Sequence, residues 1–251
     1  MEPVLPPMPS RPVPPASSLT ARLFNVFATP GDVFQEVKDS RPSVGNWLLP
    51  LLLSCLAGVV SVLVIFSQDT IQHQVMEQKE RAVEKQLRQM PKAQQEQARA
   101  AIEKFSSPTL LKTLAAGGAV VSNVGWLFIV ALLVWLLGRL AFKADISYGQ
   151  ALEVCGLASM ISVLDTIIST LLMVGMGSVF ATPGPALLIR EFDPANKLHL
   201  ALAAGNVVSL WYLATVAIGL AKLSRASVLK TIPWVFVPWA VFRFGLIALA
   251  R

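Results

Sequence analysis

Five apolar runs dominate the chain, at about residues 46–66, 114–142, 151–180, 200–223 and 232–250. Each reaches or approaches the ~20 residues that a helix needs to cross ~30 Å of hydrocarbon. A backbone in lipid must satisfy its own hydrogen bonds, which leaves helices or a closed barrel, and the runs lack the apolar-polar alternation of barrel strands. Only 14% of the residues are charged, against ~25% in an ordinary soluble domain. The expected fold is therefore all-α: a polytopic membrane protein with a bundle of five transmembrane helices, over residues 46–251. The second and third runs exceed one crossing, so their ends must tilt, kink or continue outside the membrane.

Two segments precede the bundle. Residues 1–18, MEPVLPPMPSRPVPPASS, are proline-dense and read as a disordered or polyproline II tail. They lack the charged-then-apolar order of a cleavable signal, so the first span is expected to direct insertion. Residues 19–45 carry two short amphipathic helices. In the first, Leu19, Leu23, Val26 and Phe27 share a face; in the second, Val33, Phe34 and Val37 oppose Asp32, Glu36 and Lys38. Thr29 suits the N-cap and Pro30 the first helical position, with Asp32 three residues on as an acidic variant of the capping box. Phe24, Phe27, Pro30 and Phe34 form a candidate membrane-surface motif. The same apolar face could equally pack on the ends of the bundle.

The first loop, residues 67–112, is the main extramembrane element. Ile71, Val75, Val83, Leu87 and Met90 recur near helical spacing, Pro91 interrupts, and Ala98, Ile102 and Phe105 resume the pattern. A helical hairpin is expected, with favourable pairs from Glu77 to Arg81 and from Glu84 to Arg88. It serves either as a self-packed extension of the spans or as a docking surface. The short loops GRLAFKAD and KLSRASVLK hold their basic residues close to span ends, which places the N-terminus in the cytoplasm and the C-terminus outside. The net charge of +6 is explained by this topology, and no nucleic-acid partner is expected.

Chemistry is sparse. Cys55 and Cys155 lie inside apolar runs, and His73 and His199 complete no zinc spacing, so neither a metal nor a cofactor is expected. No nucleophile elbow or HExxH constellation occurs, which argues against an enzyme. The intramembrane polar residues stand out instead. Asp165 near the middle of the third run and Arg243 in the fifth could match in depth within one helical turn and pair, while Asn123 and Asn206 lie between the bilayer centre and its outer face. This group is either a structural polar cluster or the lining of a transport path. Glu153 is expected near the cytoplasmic interface, within reach of water. Small-xxx-small spacings at Ser54 and Gly58, Gly118 and Ser122, and Gly205 and Ser209 favour close helix contact. Pro238 predicts a kink in the fifth helix.

The stretch TPGDVFQEV, the GNWLLPLLL that follows, SYGQALEVCGLAS opening the third run and NVVSLWYLATVAIGL in the fourth together resemble the bacterial branch of the YIP family, the Ypt/Rab-interacting membrane proteins. The resemblance runs from about Leu19 to the C-terminus. It implies a five-span bundle with a cytoplasmic N-terminus, in a bacterial inner membrane. The vesicle-traffic and Rab-binding roles of eukaryotic relatives are not carried across, because the long acidic N-terminal domain is missing. The expected function is a non-enzymatic membrane organiser that binds lipids, a membrane-protein partner or a second copy of itself. A small-solute or ion transporter using the intramembrane polar residues is the alternative.

Overall fold

The computed structural model describes residues 17–104 and 107–249. Among them the chain is helical and contains no strand: α1 (Leu19–Ala28), α2 (Pro30–Asp39), α3 (Gly45–Ile65), α4 (Asp69–Arg88), α5 (Lys92–Lys104), α6 (Pro108–Leu140), α7 (Tyr148–Met176), α8 (Lys197–Ala204), α9 (Val207–Ser224) and α10 (Val228–Leu249), with a 3-10 turn at Pro185–Leu188. Five of these, α3, α6, α7, α9 and α10, are long and apolar enough to cross a membrane. The proline-rich tail lies outside the described residues except for Ser17 and Ser18, as does Phe105 of the expected hairpin.

At one end of the bundle, here the near end, α1 and α2 lie against the spans. Ser18 caps α1 by accepting the Ala21 N–H at 3.2 Å. Thr29 closes α1 and opens α2, but its hydroxyl donates back to the Asn25 carbonyl at 3.5 Å, and α2 has no side-chain cap. The capping box expected from Thr29 and Asp32 therefore does not form. Pro30 stands at the first position of α2 as expected, where no N–H is needed. Leu23, Val26, Val33, Phe34 and Val37 are buried in one core with Val154, Leu157, Val216 and Leu220 of α7 and α9. The amphipathic face thus packs onto the bundle, while Phe24 is 70% exposed.

Span packing centres on α7, which contacts α3, α6 and α9. Glycines bring the backbones together: a Cβ at Gly156 of α7 would run into Trp47 of α3, and one at Gly219 of α9 into Val154 and Phe34. Of the small-residue pairs, Gly58 meets Asn123 and Ala119, whereas Gly118 faces nothing within 4 Å. The outward-facing Leu52, Leu56, Val121, Leu133, Val241 and Phe242 are exposed, which suits side chains whose solvent is lipid.

Two runs depart from expectation. The fourth divides into α8 and α9 at Gly205 and Asn206, so Asn206 is a helix N-cap and not a mid-span amide. The fifth begins at Val228 and carries both Pro233 and Pro238 inside one helix. At 33 residues, α6 is roughly 50 Å long and overruns the hydrocarbon, while the 18 residues of α9 reach only about 27 Å.

Candidate functional site: a polar clasp at a broken helix

Breaking a helix within a membrane protein frees backbone donors that lipid cannot satisfy, so their partners must be found in the protein. At the start of α9, the Val207 N–H reaches the Pro183 carbonyl at 2.8 Å. Asn206 Oδ1 accepts the N–H groups of Val208 and Ser209 at 2.9 and 3.1 Å. The Leu210 N–H then makes the first ordinary helical bond, to the Asn206 carbonyl at 3.0 Å. Every donor of the opening turn is therefore occupied. The loop after α7 fits this break closely, because a Cβ at Gly184 would come within 2.7 Å of the Gly205 carbonyl oxygen.

The amide that caps α9 also holds Asp165. Asn206 Nδ2 donates to Asp165 Oδ1 at 2.9 Å, Ser169 Oγ to the same oxygen at 3.1 Å, and Ser209 Oγ to Oδ2 at 2.7 Å. Three hydrogen-bond donors and the N-terminus of α9 thus converge on this one side chain. Nearby, the hydroxyls of Ser61 and Thr170 lie 2.7 Å apart, joining α3 to α7. Asp165 stands seventeen residues into α7, roughly 26 Å from its start at Tyr148. That is within one turn of the centre of α7, slightly on the far side, where the head of the short α9 meets it.

The structure brings Asp165 and Asn206 together and leaves the other two members of the expected cluster elsewhere. Asn123 donates to the Ala119 carbonyl within its own helix at 2.8 Å and packs beside Gly58. Arg243 is exposed on α10 and forms no salt bridge among the described residues. The helix carrying it packs against α9 and α8. Of the aromatic motif, Phe34 is fully buried and Phe27 meets Trp211 edge-on at 5.9 Å.

A second polar group sits at the near end. Glu153 is 2% exposed and accepts from Asn46 Nδ2 at 2.6 Å, so the water expected at this residue is excluded by α1, α3 and the rest of α7. Arg22 of α1, also buried, contacts Glu36 of α2 at 3.4 Å, and Ser17 donates to the same carboxylate. Arg22 was legible as an anomaly, since helical spacing puts it on the apolar face with Leu19 and Val26. Asn46 carried no comparable signal.

Chemically, both groups hold helices together. Asp165 accepts from an amide and two serine hydroxyls, with no histidine, lysine or cysteine among these partners, and among the described residues no three His, Cys, Asp or Glu side chains gather to hold a metal. Compared with known proteins, the chain matches the family model described as the Yip1 domain over residues 24–249. No curated protein and no solved structure matches it.

Proposed function

The chain belongs to the Yip1 domain family and is a multi-pass integral membrane protein, and from that premise we propose that it is a non-enzymatic organiser that binds membrane lipids and a membrane-protein partner. The observation that carries this reading is the closed hydrogen bonding of the Asp165 clasp. An acid that carries a solute or proton must exchange partners during its cycle, whereas this one is held by Asn206, Ser169 and Ser209 across two helices. In this reading the near end, with α1, α2 and the short basic loops, faces the cytoplasm.

A transporter is the second reading, favoured by one feature: a discontinuous fourth span whose half-helix N-terminus points at an anionic group, as in several transporter folds. Reconstitution separates the two. Vesicles containing the protein should show no gradient-driven proton or cation flux above empty vesicles, while protein extracted in mild detergent should retain lipid or a membrane-protein partner. A flux abolished by Asp165→Asn in a folded variant would overturn the organiser reading.

A further inference from the structure

The near end carries a cleft of about 450 Å³ between α2 and the turn from α9 to α10, lined by Gln35, Lys38, Lys222, Arg225 and Ser227 among others. Three of those side chains are cations. None of them forms a salt bridge among the described residues. Asp39, which follows Lys38 on α2, accepts from Gln35 Nε2 at 2.8 Å. Lys38 donates to the Lys222 carbonyl at 2.7 Å, which fixes one ammonium over the end of α9. The Lys222 amine lies beside Gly31, where an added Cβ would come within 3.9 Å of it.

The backbone around the cleft points the same way. α9 ends with Arg225 at φ 53, in the left-handed region that a C-cap usually gives to glycine. A side chain held at this φ carries some conformational cost, and here it sets a guanidinium at the rim of the cleft. Three residues later α10 begins, and the N–H groups of Val228 and Leu229, as first-turn donors, have no acceptor within the helix. Burial, followed by the Arg225 charge, pushes the Lys38 ammonium below its ordinary range, against the opposing influence of Asp39 and with Lys222 adding to the repulsion. Cations crowded in this way are stabilised by an anion among them.

We propose that this cleft binds the phosphate of an anionic lipid headgroup, with Lys222 and Arg225 as its principal cations. The lipid is favoured over a soluble anion by depth: the cleft lies where two apolar spans, α9 and α10, meet their connecting turn, at the level where headgroups sit. The inference rests on the lipid-binding reading above and gives it a location.

The test uses the full chain purified in mild detergent, titrated with short-chain phosphatidic acid, short-chain phosphatidylcholine or inorganic phosphate, with thermal unfolding as the readout. Arg225→Gly removes a charge while suiting the left-handed backbone, and Lys222→Gln leaves the carbonyl that holds Lys38 in place. Phosphatidic acid should protect the wild type more than phosphatidylcholine does, and each substitution should weaken its affinity by about fivefold. Lys92→Gln, on the distant α5, should leave it unchanged. Equal affinity in the wild type and the double variant, or an equal loss in Lys92→Gln, would overturn the site. Protection by inorganic phosphate with the same dependence on both residues would overturn the lipid and assign the cleft to free phosphate. A solute flux in vesicles would sink the organiser reading without altering these affinities, whereas lost discrimination without flux would sink only the site.

Discussion

Helices α9 and α10 are neighbours in sequence, pack against each other and are both apolar enough to span a bilayer, yet half of α9 is buried in the protein and none of the most apolar window of α10 is. Hydropathy does not separate them, because lipid solvates an apolar side chain as readily as a protein core does. What separates them is size and polarity. α9 buries the larger Tyr212, Leu213, Val216, Leu220 and Leu223 with Thr215, Ala217, Gly219 and Ala221 between them, small residues that let its neighbours approach, and its N-terminus is locked by Asn206. α10 presents Trp234, Val237, Val241, Phe242 and Phe244 outward and buries only Thr231, whose hydroxyl donates to the Ala217 carbonyl of α9 at 2.8 Å. In a membrane, small side chains and hydrogen bonds set how closely two helices can approach, and α10 offers few of either.

The hardest way to break this contrast is to add volume to each helix. Gly219→Leu should collide with Val154 and Phe34 and prevent assembly of a stable bundle, whereas Gly245→Leu in α10 enters open space and should be neutral. Monodispersity and thermal unfolding in mild detergent report both. Equal tolerance at the two positions would mean that α9 is not an inner helix.

Removing volume should show the same asymmetry within the near-end helices. Phe34→Ala, emptying a fully buried site beside Gly219, should cost about 3–5 kcal/mol. Phe24→Ala, on the exposed side of α1, should change stability by less than about 0.5 kcal/mol in detergent. A loss of membrane affinity confined to the Phe24 variant would assign that side chain to lipid.

The clasp sharpens the contrast at the level of pairs. Asp165→Asn combined with Ser209→Ala should give a coupling energy of about 0.5–3 kcal/mol, because the two side chains share a 2.7 Å hydrogen bond. Asp165→Asn combined with Arg243→Gln should be additive. Strong coupling in the second cycle would bring α10 to the acid and return Arg243 to the cluster.

The smallest effect belongs to the first loop. Arg81 and Glu77 pair at 2.6 Å across one turn of α4, both largely exposed. Arg81→Gln should cost no more than about 0.5 kcal/mol, and less in high salt. A larger loss would show that Arg81 does more than pair with Glu77, on a helix already tied to the bundle by buried Ile71 and by Gln74, whose side chain bonds the Gly177 carbonyl at 2.7 Å and the Val179 N–H at 3.2 Å.

The candidate site was legible only in part. Asp165 and Asn206 stood out because charged and amide side chains in apolar runs demand partners. Their pairing with each other did not, because a continuous fourth helix was expected, and the break at Gly205 is held by Pro183 and Gly184 from another part of the chain. Arg243 and Asp165 matched in estimated depth, but depth says nothing about which helices are neighbours. Glu153 seemed accessible because position along a span suggests water near its end. The docking of α1 over that end excludes it.

By itself the sequence determined the number of spans, the two amphipathic helices before them and the two helices of the first loop, separated at Pro91, because run length, periodicity and proline act within a few residues of the chain. Tertiary structure alone decided that α9 is inside and α10 outside, that Gly156 and Gly219 sit at points of close approach between helices, and that Asp165 answers to Asn206 and Ser209. The physical reason is that a bilayer removes the usual cue. When both lipid and protein interior are apolar, burial leaves no periodic mark on the sequence, and helix placement rests on fit and on hydrogen bonds between residues more than forty positions apart.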